Sequence, residues 1–186
     1  YYIDMVKNYI NPKMIALRTK KIEIMESSMN TDPLIRLQYA SKKFGLDNAW
    51  KKWIGENQGL ERMNTIAKKQ EYESKLQNWI NEDESRKIKY GSILSDYKSL
   101  YSDLKVYSLV NSYTNDVFFA SGAEAVGFAR NLSPLAEMVA KDPSDERIKT
   151  AKNDLINGAK GFYRNYNKQT DKKLFVAVMK MNGENL

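Results

Sequence analysis

Apolar residues in this chain recur every three or four positions and almost never at alternate ones, the spacing of one face of an α-helix. Ile15, Ile22, Met25 and Met29 share a face of a helix predicted over 12–29. Ile93, Tyr97, Leu100, Leu104 and Tyr107 repeat at four-three-four-three spacing, a heptad-like stripe inside a helix predicted over 92–120. Leu174, Val178 and Met181 form the stripe of a last helix over 170–181. The same spacing predicts helices over 33–44, 47–80, 134–140 and 145–166. No pair of alternating runs is joined by a hairpin dipeptide, so strands are not expected.

The punctuation agrees with this pattern. Each proline follows a cap-type residue (Asn11, Asp32, Ser133 and Asp142), the signal of a helix start, because proline lacks only an N–H that would be unpaired there. Gly45 is the expected left-handed terminator of the second helix, with Asp47 or Asn48 capping the third. Gly55 and Gly59 each cost that helix about 1 kcal/mol against alanine and suggest a kink or a close backbone approach. The polar stretch 81–86 is predicted as a turn, and 121–127, with two glycines, as a break. The resulting fold class is all-α: an extended bundle of long helices in a single domain over 1–186, with Trp53, Leu100 and Leu104 in its core. The first residue is Tyr1, so a fragment of a larger protein is expected.

Composition narrows the chemistry. The chain has no cysteine and no histidine. Disulfides, thiolate nucleophiles, imidazole bases and most zinc sites are therefore out of its reach. No cofactor or metal is expected. Hydrophobic residues at 42% and aromatics at 11% argue for a packed domain. No run of eighteen apolar residues is present, so no membrane partner is expected. The net charge of +7 comes from lysines interspersed with acids, as in Lys20, Lys21, Glu23 and Glu26. That pattern describes a solvated surface rather than a nucleic-acid patch, and no nucleic-acid partner is expected.

Few constellations carry chemistry. Glu82, Asp83 and Glu84 are adjacent acids in a polar turn, without the separate environments that a general-acid pair needs. Trp50 and Trp53 flank Lys51 and Lys52, but tryptophans at i and i+3 belong more naturally to a core than to a base-stacking surface. Tyr97, Tyr101, Tyr107 and Tyr113 are assigned to core and interface. Asn48 stands out as a polar residue beside Trp50, and on composition alone it is a helix cap.

The stretch YASKKFGLDNAWKKWIG, from Tyr39 to Gly55, resembles a signature of bacterial serine dipeptidyl peptidases, the dipeptidyl-peptidase 7 and 11 family. It matches through Tyr39, Ala40, Ser41, Lys42, Gly45, Asn48, Trp50 and Lys51. The stretches MIALRTKKIEIMESSMNTDP, from Met14, and FYRNYNKQTDKKLF, from Phe162, resemble the family as well. The resemblance implies a helical cap inserted into a chymotrypsin-like double β-barrel, with the catalytic triad in barrels that this chain lacks. It implies a peptide substrate, contact with those barrels of the same chain, a periplasmic or secreted parent, and a homodimeric one. It also implies that an asparagine of the cap helps to hold the substrate's amino group. Asn48 is the residue that matches, with Trp50 supporting it. An amide oxygen is a neutral acceptor suited to an ammonium, so two roles, substrate contact and helix cap, are open to Asn48. Lys43 and Ala49 replace the family's usual tyrosines and Lys52 its usual asparagine, which puts a cation about one turn beyond Asn48.

Two other functions compete with a non-catalytic cap of a dipeptidyl aminopeptidase. One is a helical protein- or nucleic-acid-binding module; the other is a stand-alone hydrolase using carboxylates.

Overall fold

A computed structural model of the protein describes residues 1–118 and 123–185. Every regular element among the described residues is helical, as the spacing of apolar residues requires. The chain runs through α1 (Tyr2–Met5), a π-helical turn (Val6–Ile10), α2 (Asn11–Met29), α3 (Pro33–Arg62), α4 (Thr65–Asn81), α5 (Glu84–Tyr90) and α6 (Ile93–Phe118). It continues through α7 (Glu124–Arg130), α8 (Ser133–Lys141), α9 (Arg147–Arg164) and α10 (Lys168–Asn185). These elements divide into two compact units: Tyr1–Arg18 with Asn48–Ser112, and Thr19–Asp47 with Tyr113–Asn185.

The later helices fall close to their predicted bounds, and two earlier ones do not. Helix α3 runs unbroken through Gly45, Gly55 and Gly59, none of which has positive φ. The terminator is instead Asn64, at φ 49°, which separates α3 from α4. Asparagine tolerates the left-handed region because its short side chain is not strained there. No atom comes within 4 Å of a Cβ built on Gly55 or Gly59, so neither marks a close approach. The predicted break over 121–127 is helical from Glu124 on, with Gly127 inside α7; its first two residues, 121 and 122, fall outside the described residues.

Pro12 is the second residue of α2, which opens at Asn11 directly out of the π turn. The Asn11 N–H bonds to the Val6 carbonyl, five residues back. This wide turn spares Pro12 the clash with the fourth carbonyl behind it that an α-helix would impose. It also leaves the Lys7 carbonyl without a helical donor, since residue 12 has no N–H to give. Asn57 of α3 donates to that carbonyl at 3.1 Å. Asn11, itself buried, donates to Glu56 at 3.0 Å and to Asn57 at 2.9 Å, so one polar cluster ties the π turn to α3.

The first unit buries Met5, Met14, Leu17, Ile80 and Leu109. Trp53 is half-buried, with the Arg18 guanidinium 5.6 Å from its ring centroid. Leu100 and Leu104, expected in the core, are 63% and 45% exposed. Of the four tyrosines assigned to core and interface, only Tyr113, in the second unit, is fully buried. The second unit is built on Met25, Tyr39, Leu46 and Leu174, with Ile22, Ile24, Met29 and Ile35 packed against them.

Candidate functional site

The stretch 39–55 divides into two parts with different work. Its first part is joinery. Tyr39 has no exposed surface, and its hydroxyl donates to the Asn167 carbonyl at 3.4 Å. One turn on, the Lys42 ammonium lies 4.2 Å from the Tyr39 ring centroid and donates to Glu124 and to the Asn165 carbonyl, both at 2.6 Å. Gln38 donates to the Arg164 carbonyl at 2.9 Å. Asp171 closes the arrangement by accepting the N–H groups of Glu124 at 2.7 Å and Ala125 at 3.2 Å. Helix α3 is thereby fastened to the start of α7 and to the turn between α9 and α10. Burial, followed by the charge of Glu124, holds the Tyr39 phenol far above its usual pKa.

The residues on α10's side of this joint come from the last of the three stretches that carry the resemblance, 162–175. Asn167 caps α10, its side-chain oxygen accepting the Thr170 N–H at 2.9 Å and the Thr170 hydroxyl at 3.0 Å. Beside the joint Phe162 stacks on Phe128 at 4.4 Å and on Tyr166 at 4.6 Å.

The second part of the stretch is an open face. Asn48 lies in the middle of α3, fifteen residues beyond Pro33, and its side chain is solvent-exposed. It cannot cap a helix that began four turns earlier, so that role is excluded. Lys52, one turn along, shares its face and is exposed too. Gly55 and Gly59 continue the face at the same three-four spacing with empty space where side chains would stand. Trp50 is half-buried and Lys51 exposed.

A separate cleft of about 560 Å³ lies in the first unit, bounded by the segment before the π turn, α4 and α6. Tyr2, Tyr101, Lys69, Lys105 and Glu73 line it, and neither Asn48 nor Trp50 does. The acidic triplet has a local role: Asp83 caps α5, accepting the Arg86 N–H at 3.0 Å and the Ser85 hydroxyl at 2.7 Å, which lowers its carboxyl pKa. Among the described residues no cluster of acidic side chains is arranged to hold a metal ion, and no helix is long and apolar enough to cross a membrane.

Sequence reasoning missed one further buried group. Lys21, with no exposed surface, pairs with Asp116 of α6 and also donates to the Asp116 carbonyl at 3.3 Å. The Tyr113 ring is buried beside them, and burial together with the Asp116 charge pushes its phenol above the usual value. The signal was present in α2, where Met14, Leu17, Lys21, Met25 and Ser28 keep strict three-four spacing with lysine on the buried face.

An all-helical chain whose first motif is half joinery and half open face is matched over residues 1–186 by the family model for peptidase S46, and the chain belongs to that family. It is 30% identical over 179 residues to the Asp/Glu-specific dipeptidyl-peptidase of Capnocytophaga gingivalis, covering 95% of this chain and 24% of that protein. It is 28% identical over 176 residues to dipeptidyl-peptidase 7 of Porphyromonas gingivalis, covering 95% of this chain and 23% of that protein. The chain thus spans about a quarter of the length of these curated relatives.

Proposed function

We propose that this chain is the non-catalytic helical cap of a serine-type dipeptidyl aminopeptidase, covering the catalytic cleft and helping to hold the free amino group of a peptide. The observation that carries it is family membership over the whole of 1–186 in a chain with neither histidine nor cysteine. The group that activates a nucleophile then belongs to the other three quarters of the polypeptide. A periplasmic or secreted location is proposed with it, as the family resemblance implies.

Asn48 is the residue proposed to meet the substrate ammonium; Trp50, two residues on and half-buried on the far side of α3, supports it through the packing of the helix. The exposure of Asn48 on an open helical face supports this, since a buried or capping amide would already be engaged. Lys52 on the same face repels an ammonium, so the Asn48 amide supplies orientation, and the charge that attracts the amine comes from elsewhere in the polypeptide.

Asn48→Ala in the full-length protein tests the reading. A hydrogen bond to a charged group is worth about 1.5–3 kcal/mol, so kcat/KM on dipeptidyl substrates falls about tenfold to a hundredfold. The melting temperature holds or rises slightly, because alanine is the better residue inside a helix. Unchanged kcat/KM removes Asn48 from the substrate site.

A further inference from the structure

The stripe on the first part of α6 has the spacing of a buried seam and the exposure of a surface. Tyr97, Leu100, Leu104 and Tyr107 are 49%, 63%, 45% and 73% exposed. A contiguous apolar row of this kind on water is the mark of a docking surface. Its geometry specifies what fits: four-three spacing over more than two turns receives the knobs of another helix. Three quarters of the length of the curated relatives lies outside this chain, so such a helix has a ready source.

Charge decides between that source and a second copy. Asp96 and Asp103 each precede a stripe residue, Tyr97 and Leu104, and so flank the seam at equivalent heptad positions. Two antiparallel copies of α6 set these aspartates against one another. Two parallel copies set them opposite Tyr101 and Ser108, which offer no cation. Lys105 lies 4.6 Å from the centroid of the Tyr9 ring and is engaged away from the seam. A complementary partner therefore carries apolar residues at heptad spacing with lysine or arginine beside them.

We propose that the Tyr97–Leu100–Leu104–Tyr107 face of α6 is the seat of an amphipathic, basic-flanked helix from the same polypeptide, outside residues 1–186. This rests on family membership and length, and not on the role given to Asn48. In the full-length protein, a photo-crosslinking benzoylphenylalanine is placed at Leu104 and irradiated, and the joined peptides are mapped. The expected product is a single chain joined to a segment outside 1–186, with lysine or arginine within four residues of the joined position. Leu104→Lys in the same protein gives a lower melting temperature, and Leu104→Asp lowers it less, since the partner's lysine or arginine flank repels a cation at that point and accepts a carboxylate. A product of twice the chain mass, a crosslink confined to 1–186, or no crosslink overturns the proposal, whether or not the peptidase reading of Asn48 survives its own test.

Discussion

The two ends of α6 invert what their sequences promise. Toward the N-terminus, four apolar side chains at seam spacing face water; toward the C-terminus, Leu109, Tyr113 and an aspartate, Asp116, are buried. The difference teaches that spacing identifies a face and does not say who covers it. The first stripe is left about half to three-quarters open to water by the described residues. The second has α2, which brings Lys21 to Asp116, and a charge tolerates burial only when an opposite charge comes with it.

The largest expected effect probes the paired end. Lys21→Met leaves the Asp116 carboxylate buried without its ammonium, a loss of about 3–5 kcal/mol in equilibrium unfolding. Adding Asp116→Leu recovers most of that loss, because an apolar pair of similar size avoids the desolvation that the ion pair suffers. A loss under about 1 kcal/mol for the single substitution, on the scale of exposed pairs, would mean that water reaches the pair.

A second pair of substitutions sets the two ends of the helix side by side. Leu109→Ala costs about 2–5 kcal/mol, the usual range for emptying a core site. Leu104→Ala in the chain 1–186 stays within about 0.5 kcal/mol, as exposed positions do. Equal losses would erase the contrast. A loss at Leu104 seen only in the full-length protein would sharpen it.

The smallest effect is one of pH. The Tyr113 phenol is raised above its usual value of 10.0, so the folded state favours its neutral form. That contribution is complete below the usual value and is lost as pH climbs from it toward the folded value. Tyr113→Phe should therefore flatten part of the alkaline loss of stability in a pH series of denaturation curves. At neutral pH it costs little, because the Tyr113 hydroxyl is buried with no hydrogen-bond partner among the described residues. Identical alkaline slopes for the two proteins would count against the assigned cause.

Much of the fold was legible because amphipathic spacing and cap residues are local properties. Helices α8, α9 and α10 lie within a few residues of their predicted ends for that reason. Local rules failed where the deciding partner is distant in sequence. Lys21 was assigned to the surface because its aspartate lies 95 residues away. Gly45 was taken as a terminator because glycine permits a left-handed turn, though it does not require one, while Asn64 went unnoticed. The same error produced a helix start at Asp47 and with it the capping role for Asn48, which the unbroken α3 removes. The resemblance pointed to the right family, but sequence alone could not divide the stretch 39–55 into the joint at Tyr39 and Lys42 and the open face at Asn48.

The wide turn at Val6–Ile10 has a consequence for how this chain tolerates gain and loss of residues. One residue is worth about 100° of helical rotation, so a single codon deleted here would swing Tyr2 and Met5 to a different side. The five-residue count and Pro12 are mutually dependent: restoring the four-residue count drives the proline ring into a carbonyl, and replacing the proline alone removes the reason for the extra residue while its rotation stays built into everything upstream. Single-residue length changes should therefore be rare between residues 6 and 12 among related chains, and where one occurs, position 12 should have ceased to be proline.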